Sequence, residues 1–248
     1  MEGRAFPYNG AMADNQKSGF HYLGVGCLIA GVVIVLVGAV LGVSCYQWVQ
    51  GVKDTMENPA SRHDKVLDVL GAEELPDGYY PMLGISVPFL MDMAMLTDRP
   101  ADEDGEVPDL GAKGLIFMSI RDIGGDREEL DDFFNGRTDD AEALSKNNIN
   151  IDLEERLAAG RIERSTGPIL WVSHRGEMRS DDAHGRHDGL VTLLQITCPV
   201  EDKRNRLGIW FGPEPEIPEG EDEPMLAGTI ADPTEVAAFV GHFRFCPE

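Results

Sequence analysis

One long uncharged segment dominates the N-terminal part of the hydrophobic pattern. Residues 18–52 contain no Asp, Glu, Lys or Arg, and Tyr22 to Trp48 consist mainly of Gly, Val, Leu, Ile and Ala. At about 1.5 Å per residue this segment forms a helix of roughly 40 Å, which crosses the hydrocarbon core of a bilayer. The pattern predicts a short tail over residues 1–20 and a transmembrane helix over residues 21–50.

The predicted span is expected to remain uncleaved. The apolar region of a secretory signal peptide has about 7–15 residues and follows a basic start. Here the apolar run is longer, and only Arg4 and Lys17 are basic before it. The stretch before Cys45 resembles a lipoprotein processing site, but Gly42 stands where a large apolar residue is expected. We therefore interpret Cys45 as an ordinary residue of the span.

Small residues form a stripe along the predicted span. Gly24, Gly31 and Gly38 recur every seven residues, and Gly38 with Gly42 forms a G-x-x-x-G pair. Such a stripe lets another helix approach closely, so one hypothesis is that the span self-associates or packs on a partner helix. The alternative, that glycine is simply common in membrane helices, stays open.

Beyond the span, alternating and clustered apolar residues predict a series of strands. Residues 51–74 are expected to form a membrane-proximal helix or linker interrupted at Pro59, and residues 75–248 a single soluble domain. The predicted strands are Tyr80–Ser86, Phe89–Thr97, Gly114–Ile120, Ile169–Met178, Leu190–Cys198 and Arg206–Phe211.

Helix signals lie between and after these strands. Each predicted helix starts with an aspartate that is followed three residues later by a glutamate, a capping pattern, in the pairs Asp126/Glu129, Asp152/Glu155 and Asp232/Glu235. The helix that starts at Asp126 has Leu130, Phe133 and Phe134 on one side. The helix that starts at Asp152 is expected to end near Gly160. The third has Pro233 at its first position and Val236, Phe239, Val240 and Phe243 on one side. Together the elements predict an α+β fold in which helices cover an antiparallel sheet.

The charge of the chain excludes one large class of function. There are 44 acidic and 21 basic residues, giving a formal net charge of −23, and the first 52 residues carry two of each sign. The whole excess therefore belongs to the soluble part. A nucleic-acid binder needs a basic surface, so we expect no nucleic-acid partner. Much of this charge lies in two predicted acidic loops, over residues 98–111 and 213–228. Such loops attract basic protein surfaces or cations.

Two cysteines of the soluble part are predicted to form a disulfide. Alternation in the fifth predicted strand places Leu190, Leu194, Ile196 and Cys198 on one face, so Cys198 is expected to point inward. Cys246 follows the C-terminal helix, and docking of that helix on the sheet would bring the two thiols together. The alternative is a pair of free thiols.

The position of the soluble domain relative to the membrane follows from indirect signals. Disulfides persist in oxidising compartments, and a short tail followed at once by a span is typical of a signal anchor. Basic residues on the two sides of the span do not decide the orientation. We expect an extracytoplasmic domain of the cell envelope, with a cytoplasmic domain as the alternative.

One polar segment has residue types that bind metals. His174 precedes a loop that contains Asp182, His184 and His187, and a His-x-x-His pair beside carboxylates can hold a divalent cation. The competing interpretation is an exposed hairpin loop, which we favour because a metal site needs three or four fixed ligands. No nucleophile, phosphate-loop or metalloprotease motif occurs, so the sequence predicts neither catalysis nor a cofactor.

Several of these patterns together resemble a known group of proteins. They are the Leu75-Pro-Asp-Gly-Tyr79 turn before two strands, the Gly114 strand leading to a capped helix, and the closing Asp232-Pro-x-Glu235 helix. They resemble uncharacterised single-span bacterial envelope proteins with a PsbP-like soluble domain, over residues 60–246. The resemblance implies an α/β/α sandwich that serves as a non-enzymatic binding or assembly module with an unknown protein partner. The second hypothesis is a metal-dependent enzyme or metal sensor that uses His174, His184 and His187.

Overall fold

The computed structural model describes residues 50–102, 106–108, 110–121, 127–138, 151–179, 186–199, 204–215, 217 and 225–246. The predicted span, with Gly24, Gly31, Gly38, Gly42 and Cys45, lies outside the described residues except for residue 50. Among the described residues, no helix is both long and apolar enough to cross a membrane. Residues Gly51–Glu248 form one compact unit.

A seven-stranded antiparallel sheet is the centre of this unit. Its strands are β1 (Tyr80–Val87), β2 (Met91–Thr97), β3 (Gly114–Arg121), β4 (Asp152–Ile162), β5 (Ile169–Arg179), β6 (Arg186–Ile196) and β7 (Arg204–Pro213). The spatial order is β1-β2-β3-β7-β6-β5-β4. Two meanders, β1 to β3 and β4 to β7, therefore meet where β3 pairs with β7.

Among the described residues, three helices cover the sheet: α1 (Pro59–Leu70), α2 (Arg127–Phe134) and α3 (Pro233–Gly241). Helices α1 and α3 pack on one face, where their apolar residues join Trp171, Leu194 and Trp210 in a single core. Helix α2 packs on the opposite face, where it joins Val172, Val191 and Leu193. The predicted α+β fold with an antiparallel sheet and covering helices is confirmed at this level.

Helix α1 begins at the proline that the sequence pattern treats as an interruption. Residues 50–57 are helical, and Asn58 then caps α1 by accepting the backbone N–H of Ala60 at 3.0 Å, with Pro59 in the first turn. Proline is favourable there because its missing N–H would have no helical partner. The helix ends at Gly71 in the left-handed conformation, φ 61°, where a side chain would collide with the Arg244 carbonyl oxygen.

Strand β4 corrects one helix prediction. The Asp152/Glu155 capping pattern predicts a helix to Gly160, but Asp152–Ile162 is an edge strand paired with β5. Its Leu, Ala, Glu and Arg residues favour helix locally, and cross-strand pairing overrides that preference. The pairing also explains the glycine at position 160. Gly160 lies opposite Trp171, and a Cβ there would come within 2.7 Å of the indole.

The predicted cysteine pair is present. Cys198 follows β6 and Cys246 follows α3, and the two form a disulfide with Cα atoms 5.5 Å apart. Leu190, Leu194 and Ile196 lie in the core beneath α1 and α3, and Cys198 packs against it, as the alternation predicts. The bridge therefore fastens the segment after α3 to the end of a central strand.

The predicted cap of α3 is also present. The Asp232 side chain accepts the backbone N–H groups of Thr234 at 2.8 Å and Gly228 at 2.9 Å. At the other end, Arg164 Nη1 donates to the carbonyl oxygens of Val240 at 2.7 Å and Phe243 at 2.8 Å. The adjacent Asp232 and the distant Arg164 thus satisfy backbone groups at the two ends of the helix.

The Asp232 cap predicts a specific pH dependence of stability. The N–H groups of Gly228 and Thr234 hold the pKa of Asp232 below its ordinary value of 3.8. A lowered folded-state pKa means that the carboxylate stabilises the fold above the unfolded-state pKa, and that this contribution is lost as the pH falls through the folded-state value. We expect Asp232→Asn to lower the free energy of unfolding at neutral pH, and the gap to the natural protein to close on acidification. Urea titrations over about pH 2 to 7 measure the difference in free energy of unfolding between the two proteins. A difference that does not change with pH contradicts the prediction.

Candidate functional site

Nine apolar side chains form a grid on the sheet face that carries α2. Register places them in three rows across β1, β2 and β3: Leu83–Met95–Ile116, Ile85–Met93–Met118 and Val87–Met91–Ile120. Directly paired residues on antiparallel strands point to the same side of the sheet. We call these nine residues the methionine face.

The methionine face is only partly covered, unlike the part of the same sheet surface that lies directly beneath α2. All nine side chains are half-buried, whereas Leu193, Leu207 and Ile209 further along this surface are buried beneath α2. Ile116 and Met118 touch the α2 core, and the other seven belong to neither core cluster of the described residues. Within the part of the chain that the structure describes, no helix packs on this half of the face.

The β1–β2 hairpin tip extends the apolar surface beyond the grid. Leu90 N–H donates to Val87 O at 3.0 Å, which closes a turn with Pro88 and Phe89 at its centre. Phe89 is 80% exposed and Leu90 is 48% exposed. Phe89 also has φ 65°, a left-handed conformation that disfavours side chains. An exposed aromatic residue held in an unfavourable conformation indicates a role other than packing.

The strain at Phe89 is testable by substitution. Proline at the second turn position with positive φ at the third is the pattern of a type II turn, in which glycine is preferred at the third position. We expect Phe89→Gly to raise the free energy of unfolding by about 0.5 kcal/mol, because relief of the left-handed strain exceeds the extra entropy of the unfolded chain. Urea unfolding measures this change, and Phe89→Ala, which keeps a Cβ, is the matched control. A destabilised Phe89→Gly variant would contradict the prediction.

A cavity of about 500 Å³ lies on the other side of the sheet, between the turn before β1 and α3. Trp210 Nε1 donates to Tyr79 Oη at 2.8 Å. Burial raises the pKa of Tyr79, the hydrogen bond from Trp210 lowers it, and the charge of Asp98 raises it; the net shift is upward. The phenol is therefore neutral at physiological pH, and it serves as an acceptor that joins the turn to β7.

His174, the first of the predicted metal candidates, is a buried packing residue. It is 3% exposed and its ring stacks on Phe133 of α2, with centroids 5.8 Å apart. Its Nδ1 lies 3.4 Å from the Glu154 carbonyl oxygen. The neighbouring Ser173 points to the opposite face, where its hydroxyl lies 2.7 Å from that of Thr192. The two therefore form no nucleophile and base pair, as strand geometry predicts.

Of the remaining metal candidates, the structure describes only the backbone of His187. His184 and Asp182 lie outside the described residues. The backbone of His187 pairs with Met178, four residues or about 13 Å along β5 from His174. No group of three or more His, Cys, Asp or Glu side chains that could hold a metal ion occurs among the described residues.

No family model, curated protein or solved structure matches the chain. The methionine face is the functional candidate that sequence reasoning missed. Its signal was present in the alternation of Met91, Met93 and Met95, but alternation alone does not tell which face of a strand remains uncovered.

Proposed function

We propose that this protein is a membrane-anchored binding or assembly module whose soluble domain holds a partner on the methionine face. The supporting observation is the partly exposed apolar grid beside the α2 core. Contiguous apolar surface of this kind, which no helix covers in the described part of the chain, is typical of interaction sites. Methionine side chains are flexible and polarisable, so they adapt to a partner better than branched residues do.

The shape of the methionine face favours an amphipathic helix as the occupant. Helix α2 covers the adjacent half of the same surface with Leu130, Phe133 and Phe134, at i, i+3 and i+4. Three strands about 4.8 Å apart and three rows about 6.8 Å apart span roughly 10 Å by 14 Å between the outer Cα atoms. That footprint matches the width and length of about three helical turns. A partner helix laid beside α2 would complete the layer.

Charge favours a basic partner over a second copy of this chain. The soluble part carries the whole excess of 23 negative charges, so two copies repel each other as they approach. A helix with lysines or arginines on its polar side is attracted instead, and apolar contact with Met93 and its neighbours then holds it. The strength of such binding falls as salt is added.

Anchoring and orientation belong to the same proposal. The predicted span over residues 21–50 would hold the domain at the membrane, because anionic lipids repel so acidic a surface. The Cys198–Cys246 disulfide favours the extracytoplasmic side.

A fusion tests this orientation. A reporter enzyme that is active only outside the cytoplasm, fused after residue 248, is expected to be active. An inactive fusion would place the domain in the cytoplasm.

A model peptide tests the partner proposal directly. The probe is a helical peptide of about 14 leucines and lysines with leucine on one side, titrated into the purified full-length protein and followed by fluorescence anisotropy. We expect micromolar binding, and at least tenfold weaker binding to Met93→Lys, which places a charge at the centre of the face. The matched control is Ile217→Lys, which adds the same charge at an apolar side chain that is 53% exposed elsewhere.

Two outcomes would overturn the assignment. A scrambled peptide of the same composition has no apolar side. Equal binding of the two peptides would therefore show that electrostatic attraction alone accounts for the interaction. Equal affinity of Met93→Lys and Ile217→Lys would remove the methionine face as the site. If light scattering instead detects a dimer that Met93→Lys dissociates, the occupant is a second copy and the partner helix is wrong.

A further inference from the structure

Four of the ten methionines of the chain lie together on the methionine face. Met91, Met93 and Met95 occupy three successive positions of β2 on this side of the sheet, and Met118 of β3 is paired directly with Met93. The other five positions of the face, on β1 and β3, hold Leu, Ile or Val. Since Ile and Val are the residues that strands favour, strand formation alone does not account for four methionines side by side.

Strand register brings the side chains of these methionines within reach of one another. In a directly paired couple such as Met93 and Met118 the Cβ atoms lie about 4.5–5.5 Å apart, and diagonal neighbours are about 7–8 Å apart. Met91 and Met95 are the two diagonal neighbours of Met118 on β2. Because a methionine side chain has three rotatable bonds, Met93, Met118 and one diagonal neighbour can direct three sulfur atoms at a single point.

The side chains around these sulfurs discriminate between metal ions. The other five members of the methionine face are hydrocarbons, so the face offers no imidazole, carboxylate or thiolate ligand. Zinc, calcium and magnesium need such ligands, whereas thioether sulfur is a soft ligand that selects Cu(I). All four methionines are half-buried, in contrast to the buried residues beneath α2. The face therefore presents soft sulfur ligands at a surface that an ion can reach.

We propose that the methionine face binds one Cu(I) ion through the thioether sulfurs of Met93, Met118 and either Met91 or Met95. The excess negative charge of the soluble part attracts a cation to the domain, and the soft ligands then select Cu(I) among the cations. This site does not depend on the proposed partner helix. The metal requires sulfur, whereas the helix requires only an apolar surface.

The probe is Ag(I), which has the charge and the soft-ligand preference of Cu(I) and keeps its oxidation state in air. The full-length protein is labelled with ¹³C at the methionine methyl groups, and Cys27 and Cys45 are alkylated first because thiolates also bind Ag(I). We expect the methyl signals of Met93 and Met118 to shift on titration and to saturate at one ion per chain. The signal of Met225, a 56% exposed methionine elsewhere, is expected to stay in place.

Substitution by leucine removes the sulfur and keeps the volume, so the variants are expected to fold. Met93→Leu should weaken Ag(I) binding, read from the Met118 signal, at least tenfold. Met225→Leu is the matched control and should leave binding unchanged. Of Met91→Leu and Met95→Leu, the variant that weakens binding identifies the third ligand. Cu(I), supplied without oxygen in competition with a coloured Cu(I) chelator, is expected to rank the variants in the same order.

Four results would overturn the metal site. They are an equal effect of Met93→Leu and Met225→Leu, full binding in both Met91→Leu and Met95→Leu, equally tight binding of Zn²⁺ at the same methyl signals, and Cu(I) binding that Met93→Leu does not weaken. The leucine–lysine peptide separates this proposal from the partner helix. Met93→Leu keeps the face apolar, so it should lose Ag(I) and still bind the peptide. A natural protein that binds Ag(I) but no peptide would refute only the partner helix.

Discussion

Replacement of Cys198 and Cys246 together by serine is expected to lower the free energy of unfolding by about 4 kcal/mol. The bridge joins residues 48 positions apart, and closing a loop of that length restricts the unfolded chain by roughly this amount on the chain-entropy model. Urea unfolding followed by tryptophan fluorescence measures the loss, because Trp171 and Trp210 are both buried. Reduction of the natural protein should reproduce it.

Thiol counting provides the control for this prediction. The chain has four cysteines, and the two outside the bridge are Cys27 and Cys45 in the predicted span. Alkylation of denatured, unreduced protein is therefore expected to label two thiols. Labelling of all four, with unchanged stability of the double serine variant, would contradict both the bridge and the extracytoplasmic orientation that it supports.

Phe243→Ala is expected to cost about 4 kcal/mol as well, by a different mechanism. Phe243 is fully buried, and its ring lies 5.2 Å from those of both Phe239 and Phe245 in the core beneath α1 and α3. Truncation removes its apolar burial and leaves a cavity that the surrounding sheet and helices fill only in part. The measurement is the same urea titration.

Two further variants make the Phe243 result specific. Phe243→Leu keeps most of the volume and is expected to lose markedly less than Phe243→Ala. Phe89→Ala makes the same chemical change at the exposed hairpin tip and is expected to stay within about 0.5 kcal/mol. If the two alanine variants lose equal stability, the segment after α3 does not contribute to the core as described.

The parts of the fold that local signals predicted share one property: their cause lies within a few residues. Asp232 caps α3 because its own following N–H groups lack partners, and Pro233 and Glu235 are placed to suit that start. The alternation around Leu190 and Leu194 requires only that one side of a strand faces the core. β4 was mispredicted because its outcome depends on β5, whose residues lie downstream and whose pairing outweighs the helix preference of Leu, Ala and Glu.

The candidate sites depended still more on tertiary structure. Nothing near Met93 in the sequence indicates that Met118 will lie opposite it, since strand register sets that pair. His174 has the residue type of a metal ligand, yet its position beneath α2 makes it a stacking partner for Phe133. The type of a residue indicates which chemistry its side chain can perform. The residues around it in space decide whether that side chain is accessible for it.

By itself, the sequence determined the fold class, the cap of the last helix, the cysteine pair and the location of the negative charge outside the first 52 residues. These follow from periodicity and local hydrogen bonding, which are properties of short segments, and from composition, which is a property of the residue counts of the whole chain. Tertiary structure alone decided that α2 covers one half of a sheet face and leaves Met93 and its neighbours half-exposed, and that Met118 lies opposite Met93. Both depend on which strands lie side by side, and that is set by the summed packing of the whole domain.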